Sequence, residues 1–272
     1  MSGDPVRVRA VGQCRICGNA NLVQVLDLGE QALTGVFPAS PDEPVTRGPL
    51  RLVRCAGDES AVCGLVQLGH SYDLGEMYGD NYGYRSGLNP SMVRHLHAKV
   101  AGILGRVPLA AGDVVVDVGS NDGTTLSAYP DTLVRVGIDP TAGKFARYYP
   151  EGSRFIADFF DAGALERNGI ARKARVLTSF SMFYDLESPM TFMRDVFDCL
   201  DEEGTWVFEQ SYLPAMLDMN SYDTVCHEHL EYYALRQVKW MADRVGFVLV
   251  DVGFNDVNGG SFSVTASKAP GA

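Results

Sequence analysis

Residues 113–126 read DVVVDVGSNDGTTL. The run VVVDVG (114–119) is a short, nearly all-apolar strand of the kind buried in a parallel sheet, and it empties into Ser120-Asn121-Asp122-Gly123. A helix is expected next, so the stretch predicts a strand-loop-helix that presents backbone N–H groups to a ligand at the carboxyl end of a sheet. The pattern continues outward from it. VRVGID (134–139), RFIAD (154–158), RVLTSFS (175–181) and TWVFEQ (205–210) read as further short strands. Met193, Val196, Phe197 and Leu200 recur at helical spacing, as do Val238, Met241, Ala242 and Val245, closed by Gly246. Upstream, Asn89 can cap and Pro90 can open a helix whose apolar face is Val93, Leu96, Val100, Ile103, Leu104 and Val107. The chain ends in FVLVDVGFNDVNGGSFSVTAS (247–267), two strand-like runs around Asn258-Gly259-Gly260 that predict a hairpin. Strands alternating with helices mean an α/β fold: a doubly wound, mainly parallel sheet with an antiparallel C-terminal hairpin.

The loop after the first of these strands narrows the ligand. A dinucleotide site wants G-x-G-x-x-G to bring backbone against a diphosphate. Here the spacing is D-x-G-x-x-x-G, with only Gly119 and Gly123, and acids stand at Asp117 and Asp122. Carboxylates repel a diphosphate but suit a cofactor that carries a sulfonium and a free ammonium, which is S-adenosylmethionine. Asn121 belongs to the same loop. Asp139 follows Asp117 by 22 residues at the end of the second strand, where a carboxylate can accept both ribose hydroxyls. Asp158 ends the third strand, placed to meet an adenine amino group, with Phe159 and Phe160 available to pack on the ring. The plainer alternative for Asp139 and Asp158 is helix capping.

The chain has 272 residues, 46% of them apolar and 10% aromatic, enough for a substantial core and too apolar for bulk disorder. Its formal charge of −11 excludes nucleic acid as a main partner, and the acidity is spread: residues 1–80 hold 6 basic and 10 acidic side chains, residues 81–272 hold 17 and 24. No apolar run is long enough to span a bilayer, and MSGDPVRVRAVGQCRICG lacks the apolar stretch of a signal peptide, so a soluble cytoplasmic chain with no membrane partner is expected.

The first 80 residues are turn-rich, with short strand-like runs at Leu22 to Leu28 and Leu50 to Val53 and prolines between them. Such a segment needs a staple. Four of the six cysteines lie here. Cys14-x-x-Cys17 is a metal knuckle by spacing, with Gly18 to allow the turn, and Cys55 and Cys63 supply a second pair across the seven-residue loop AGDESAV. Four thiolates leave no open position, so a structural zinc is expected. Residues 1–84 are thus read as a cysteine-rich zinc-binding domain and 85–272 as the cofactor domain.

Residues 220–233, NSYDTVCHEHLEYY, pack two of the five histidines, two glutamates and three tyrosines into fourteen positions. A histidine beside a glutamate is a candidate general base, because the carboxylate can orient the ring and raise its basicity. A hydrogen-bonded structural turn is the alternative. A second cluster, Tyr78-Gly-Asp-Asn-Tyr82-Gly-Tyr84-Arg85-Ser86, sits at the domain junction, a favoured place for a small-molecule cleft.

Taken together, the cysteine knuckle with CGLVQL (63–68), YGYRSG at the junction, DVGSNDGTTL (117–126), and EQSYLPAML through CHEHLEYY resemble the zinc-containing sugar C-methyltransferases of deoxysugar and antibiotic biosynthesis. The resemblance runs from Cys14 to about Lys268. It implies S-adenosylmethionine-dependent methylation of a carbon next to the keto group of a nucleotide-linked sugar. It further implies that His229 is the base, Glu228 its orienting partner, and Tyr84 or His227 the hydrogen-bond donor to the developing oxyanion. Cys226 stands where some members carry a tyrosine, and His227 where they carry an acid. Members commonly continue into a further α/β domain, whereas this chain stops at Ala272. That shifts the expected substrate from a nucleotide-linked sugar toward a keto sugar or related small carbonyl metabolite, or toward a site completed by a partner chain or a second copy. Methylation of a hydroxyl or amine, and a truncated binding subunit, are the competing expectations.

Overall fold

The computed structural model describes residues 8–79 and 82–268, so Asp80 and Asn81 of the junction cluster lie outside it. Five strands come first: β1 (Val8–Ala10), β2 (Leu22–Ala32), β3 (Arg47–Cys55), β4 (Val66–Leu68) and β5 (His70–Tyr72). Helices α1 (Leu74–Met77) and α2 (Pro90–Leu104) lead into β6 (Val114–Val118), β7 (Val134–Ile138), α3 (Ala142–Phe145), β8 (Arg154–Ile156), α4 (Ala164–Arg167) and β9 (Ala174–Phe180). Then follow α5 (Pro189–Cys199), β10 (Leu200–Ser211), α6 (Leu213–Met219), β11 (Glu231–Tyr232), α7 (Leu235–Val245), β12 (Phe247–Asn255) and β13 (Ser261–Lys268).

Seven strands form the main sheet in the order β12-β13-β10-β9-β6-β7-β8. The five from β8 to β10 are parallel, and β13 pairs antiparallel with both β10 and β12, as the hairpin reading requires. Asn258, Gly259 and Gly260 all turn with positive φ between those two strands. The strand order reverses between β6 and β9, which places a crevice at their carboxyl ends. Helix α2 begins as read: the Asn89 side chain accepts from Ser91 N–H, Pro90 takes the first turn, and Leu96, Val100 and Ile103 are buried. Among the described residues no helix is long and apolar enough to cross a membrane.

Two features depart from the linear reading. The loop after β6 runs into a single 3-10 turn (Leu126–Ala128) instead of a helix, because Pro130 follows before a second turn can close. The second departure concerns the boundary at residues 84 and 85. The small sheet of the N-terminal region has the order β11-β4-β3-β2, so one of its strands comes from the far end of the chain, with Glu231 opposite Gln67. Cys14, Ile16, Cys55, Cys63 and Leu65 share one buried cluster with Trp206, Phe208 and Phe247 of the main sheet. The Gln237 amide of α7 also donates to the Cys63 carbonyl at 2.8 Å. The N-terminal region is therefore packed on the sheet domain through a common core.

Candidate functional site

A cavity opens at the crevice where the strand order reverses. Asp117, Gly119, Ser120, Asn121, Asp139, Asp158 and Phe159 line it from the sheet side, and Tyr78, Tyr82 and Tyr84 from the junction. Among the described residues no lysine, arginine or histidine lines it. A wall of carboxyls without a basic side chain fits a sulfonium and an ammonium and disfavours a diphosphate.

Each loop residue is held differently. Asp117 is buried in β6 and accepts from the Thr178 hydroxyl at 2.6 Å; burial pushes its carboxyl up to about 7, against the pull of that hydrogen bond. Gly119 has φ +74°, and a Cβ there would meet Met182 Cγ at 2.8 Å, so only glycine keeps the loop against the cavity. Asp139 Oδ1 accepts from Thr141 N–H and its hydroxyl at 2.7 and 2.6 Å, and Oδ2 accepts from Asn121 N–H at 2.8 Å. It is thus a turn-capping residue that also faces the cavity, with lone pairs left for a ribose hydroxyl. Asp158 is exposed two residues beyond β8, accepts from Phe159 N–H at 2.8 Å, and lies with Phe159 at the cavity's rim.

Asn121, Asp122 and Gly123 do a second job. The Asn121 amide donates to the Tyr84 carbonyl at 3.1 Å and accepts from Ser86 N–H at 3.0 Å. Asp122 is buried away from the cavity: Oδ2 accepts from Gly87 N–H at 3.0 Å with Arg85 3.8 Å away, and Oδ1 accepts from Thr124. Gly123 (φ +76°) lies against Tyr149 and Pro150, where a Cβ would come within 3.0 Å of the ring. Asp122 and Gly123 therefore latch the junction and the turn.

Of the residues assigned to proton transfer, His229 has the most telling surroundings. Its Nδ1 lies 2.9 Å from the Thr224 carbonyl. A carbonyl only accepts, so Nδ1 carries the hydrogen and, in the neutral ring, Nε2 is left basic. Backbone and not Glu228 sets this tautomer. The Tyr184 ring lies 4.2 Å from the imidazole, centroid to centroid. His229 does not itself line the cavity. Glu228 lies in a narrow adjoining cleft with Tyr78, and burial raises its carboxyl while His229 opposes the shift. Gly35 makes room for Glu228, since a Cβ there would meet its Oε1 at 2.5 Å.

The structure sets His227 apart. It is 1% exposed, takes Thr34 N–H on Nδ1 at 3.4 Å, points Nε2 at the Gly48 carbonyl 3.3 Å away, and meets the Tyr72 ring edge-on at 4.7 Å. It braces the N-terminal sheet, outside the main cavity, and shares the adjoining cleft with Glu228 and Asp185. Tyr84, 47% exposed, lines the cavity mouth, while burial holds Tyr78 and Tyr82 above their usual range as neutral phenols. Asp185, which the sequence reading passed over, lines both the cavity and the adjoining cleft. Its signal was present: like Asp139 and Asp158, it is an acid shortly after a parallel strand.

The four cysteines converge. All four Sγ atoms lie within 4.8 Å of one another, with Cys14 to Cys63 at 3.4 Å and Cys17 to Cys55 at 3.5 Å. Zinc–sulfur bonds of about 2.3 Å in a tetrahedron put the sulfurs about 3.8 Å apart, so the donor set fits zinc with no open position. The seven-residue gap is spanned by a turn in which Asp58 Oδ1 accepts from Ser60 N–H and the Asp58 carbonyl accepts from Ala61 and Val62 N–H, returning Cys63 to Cys55. Asn19 Nδ2 donates to Cys55 Sγ at 3.2 Å, a contact that orients the thiolate. Among the described residues this is the one group of three or more potential metal ligands, and the His227-x-His229 pair is not part of one.

Residues 14–78 match a family described as "Putative zinc binding domain", and residues 92–252 match one described as "Methyltransferase domain". A C-methyltransferase of Streptomyces niveus, NovU, is 30% identical over 269 residues, covering 96% of this chain; the chain spans 62% of that relative's length. In fold, the chain resembles a structure from the complex of the Haloferax volcanii Trm112 methyltransferase activator with a methyltransferase (TM-score 0.53, 14% identity, 67% of this chain and 94% of that one). It also resembles magnesium protoporphyrin IX methyltransferase from Synechocystis (TM-score 0.50, 13% identity, 71% of this chain and 91% of that one).

Proposed function

Because the chain belongs to the methyltransferase domain family, we propose that it is a carbon methyltransferase that deprotonates the position next to a ketone, in a keto sugar or related carbonyl metabolite, and methylates it there. The identity to a C-methyltransferase supports the reading. The observation that carries it is His229, whose ring is fixed by the Thr224 carbonyl with Nε2 left to take a proton, next to Glu228, which shares the adjoining cleft with Tyr78 and Asp185.

Asp117, Asp139, Asn121 and Gly119 hold the cofactor, with Asp158 and Phe159 at its adenine end. Bound there, S-adenosylmethionine supplies an electrophilic methyl group on a sulfonium. The chain's own residues prepare the acceptor carbon. His229 Nε2 removes the α-proton, the neighbouring Glu228 carboxyl steadies the imidazolium, and the Tyr84 phenol donates to the carbonyl oxygen as it gains charge. His227 takes no part.

The reading is tested by deuterium exchange. A panel of keto sugars, free and nucleotide-linked, is incubated in deuterated water with the protein and S-adenosylhomocysteine, and α-exchange is followed by NMR. Wild type exchanges one position; His229→Asn loses about 10²–10⁴-fold in that rate while its calorimetric affinity for S-adenosylhomocysteine stays the same. Undiminished exchange in the variant would remove His229 from the role.

A further inference from the structure

Asp185 ends the 3-10 turn Phe183–Asp185 that follows β9, and it stands where two hollows meet. It lines the cofactor cavity beside Met182 and Leu186, and it lines the cleft that contains Glu228. Its Oδ1 is buried and, among the described residues, has no hydrogen-bond partner. The other cavity acids near it are engaged: Asp117 by Thr178, Asp139 by Asn121 and Thr141, and Glu187 by the Ser71 hydroxyl at 2.8 Å. An orphaned polar atom in a protein interior is costly, and this one belongs to a residue that lines both hollows, where a bound molecule would complete it.

The groups that face Asp185 set its protonation. His229, from the segment after α6, favours the carboxylate. Burial, the largest influence, opposes it, as do Glu228, Cys226 and Glu231 from the same stretch, and together they hold the carboxyl well above the usual range. Tyr78 and Tyr82 from the junction and Tyr184 from its own turn are themselves kept neutral by burial. Asp185 is thus a carboxylic acid, able to donate where a carboxylate could only accept.

We propose that Asp185 is a further catalytic residue, donating a hydrogen bond from its carboxyl to the substrate's carbonyl oxygen during α-deprotonation. The inference rests on the carbon-methylation reading. The α-carbon–hydrogen bond breaks, its proton goes to His229 Nε2, its electron pair forms the carbon–carbon double bond, and the carbonyl π pair moves onto oxygen. Asp185 keeps its proton throughout, and its O–H bond points at the oxygen that has gained charge. When the carbonyl re-forms the hydrogen bond weakens again, so no proton is gained or lost at this residue.

The test compares wild type, Asp185→Asn and Asp185→Ala as full chains, each first checked for unchanged S-adenosylhomocysteine affinity. In the deuterium-exchange assay Asp185→Ala loses about 10²–10³-fold, whereas Asp185→Asn, which keeps a donor, retains more of the rate. The wild-type rate declines on the alkaline side as Asp185 ionises, and that decline disappears in Asp185→Asn. Carbon-13 NMR of aspartate-labelled protein shows, at neutral pH, a protonated carboxyl resonance that Asp185→Asn removes. The role is overturned by the absence of that resonance, by an alkaline decline that survives in Asp185→Asn, or by Asp185→Ala exchanging within threefold of wild type. A wild-type protein that exchanges no α-hydrogen overturns the methylation reading and the role with it, while the resonance still reports the state of Asp185.

Discussion

His227 and His229 are two residues apart and do opposite things. The first is boxed in by Thr34, Gly48 and Tyr72, and burial lowers its tendency to take a proton; the second is tethered at Nδ1 alone. Spacing could not separate them, because the partners of His227 lie 179 and 193 residues away. Asp117 makes a residue-scale prediction. Its carboxyl titrates near 7 because β6 is buried. A cationic cofactor favours the carboxylate, so below that pH binding must expel a proton, and affinity rises by up to about tenfold per pH unit before levelling off above 7. Asp117→Asn should flatten the profile, read by calorimetry from pH 5.5 to 8.5; a flat wild-type profile removes the assignment. For folding the sign reverses. An acid raised above its unfolded value favours the native state at low pH, and that contribution is lost as pH rises through about 7. The Asn variant should therefore melt higher than wild type on the alkaline side in the absence of cofactor.

At the scale of elements, the zinc staple and the cofactor loop were legible for local reasons. A C-x-x-C turn and an apolar strand running into an acid-rich loop need only short-range spacing. The second cysteine pair was harder to read, since its seven-residue gap closes only because Asp58 builds a turn inside it. Elemental analysis should find one zinc per chain, and Cys63→Ser should lose most of it. Cys14, Cys55 and Cys63 share a buried cluster with Trp206 and Phe247, so the variant should melt earlier in a single transition that includes the main sheet. Full zinc occupancy in Cys63→Ser, or an early separate transition, would contradict this coupling.

At the scale of the whole molecule, the cavity is assembled by long-range latches. Asn121 and Asp122 grip residues 84–87, β11 returns to complete the N-terminal sheet, and Arg15, buried beneath it, lies 3.7 Å from Glu231 and 3.8 Å from Glu187. Releasing the junction should loosen the tyrosine wall more than the cofactor seat. Asp122→Ala should cost about 1.5–3 kcal/mol of stability, typical for hydrogen bonds to a charged group, and should raise KM for the acceptor more than for S-adenosylmethionine. Hydrogen exchange at residues 85–88 should also speed up, and unchanged exchange there would refute the latch. The parallel sheet, its hairpin, the carboxyl-lined cofactor loop and the first cysteine knuckle were readable along the chain, since each depends on periodicity or on residues within a few positions of one another. The contrast between His227 and His229, the diversion of Asp122 to the junction and the exposure of Asp185 to the cavity were settled only by folding. Burial and the choice of hydrogen-bond partner depend on segments that lie far apart in sequence, 35 residues for Asp122 and Gly87 and 193 for His227 and Thr34, and no local pattern records which of them will meet.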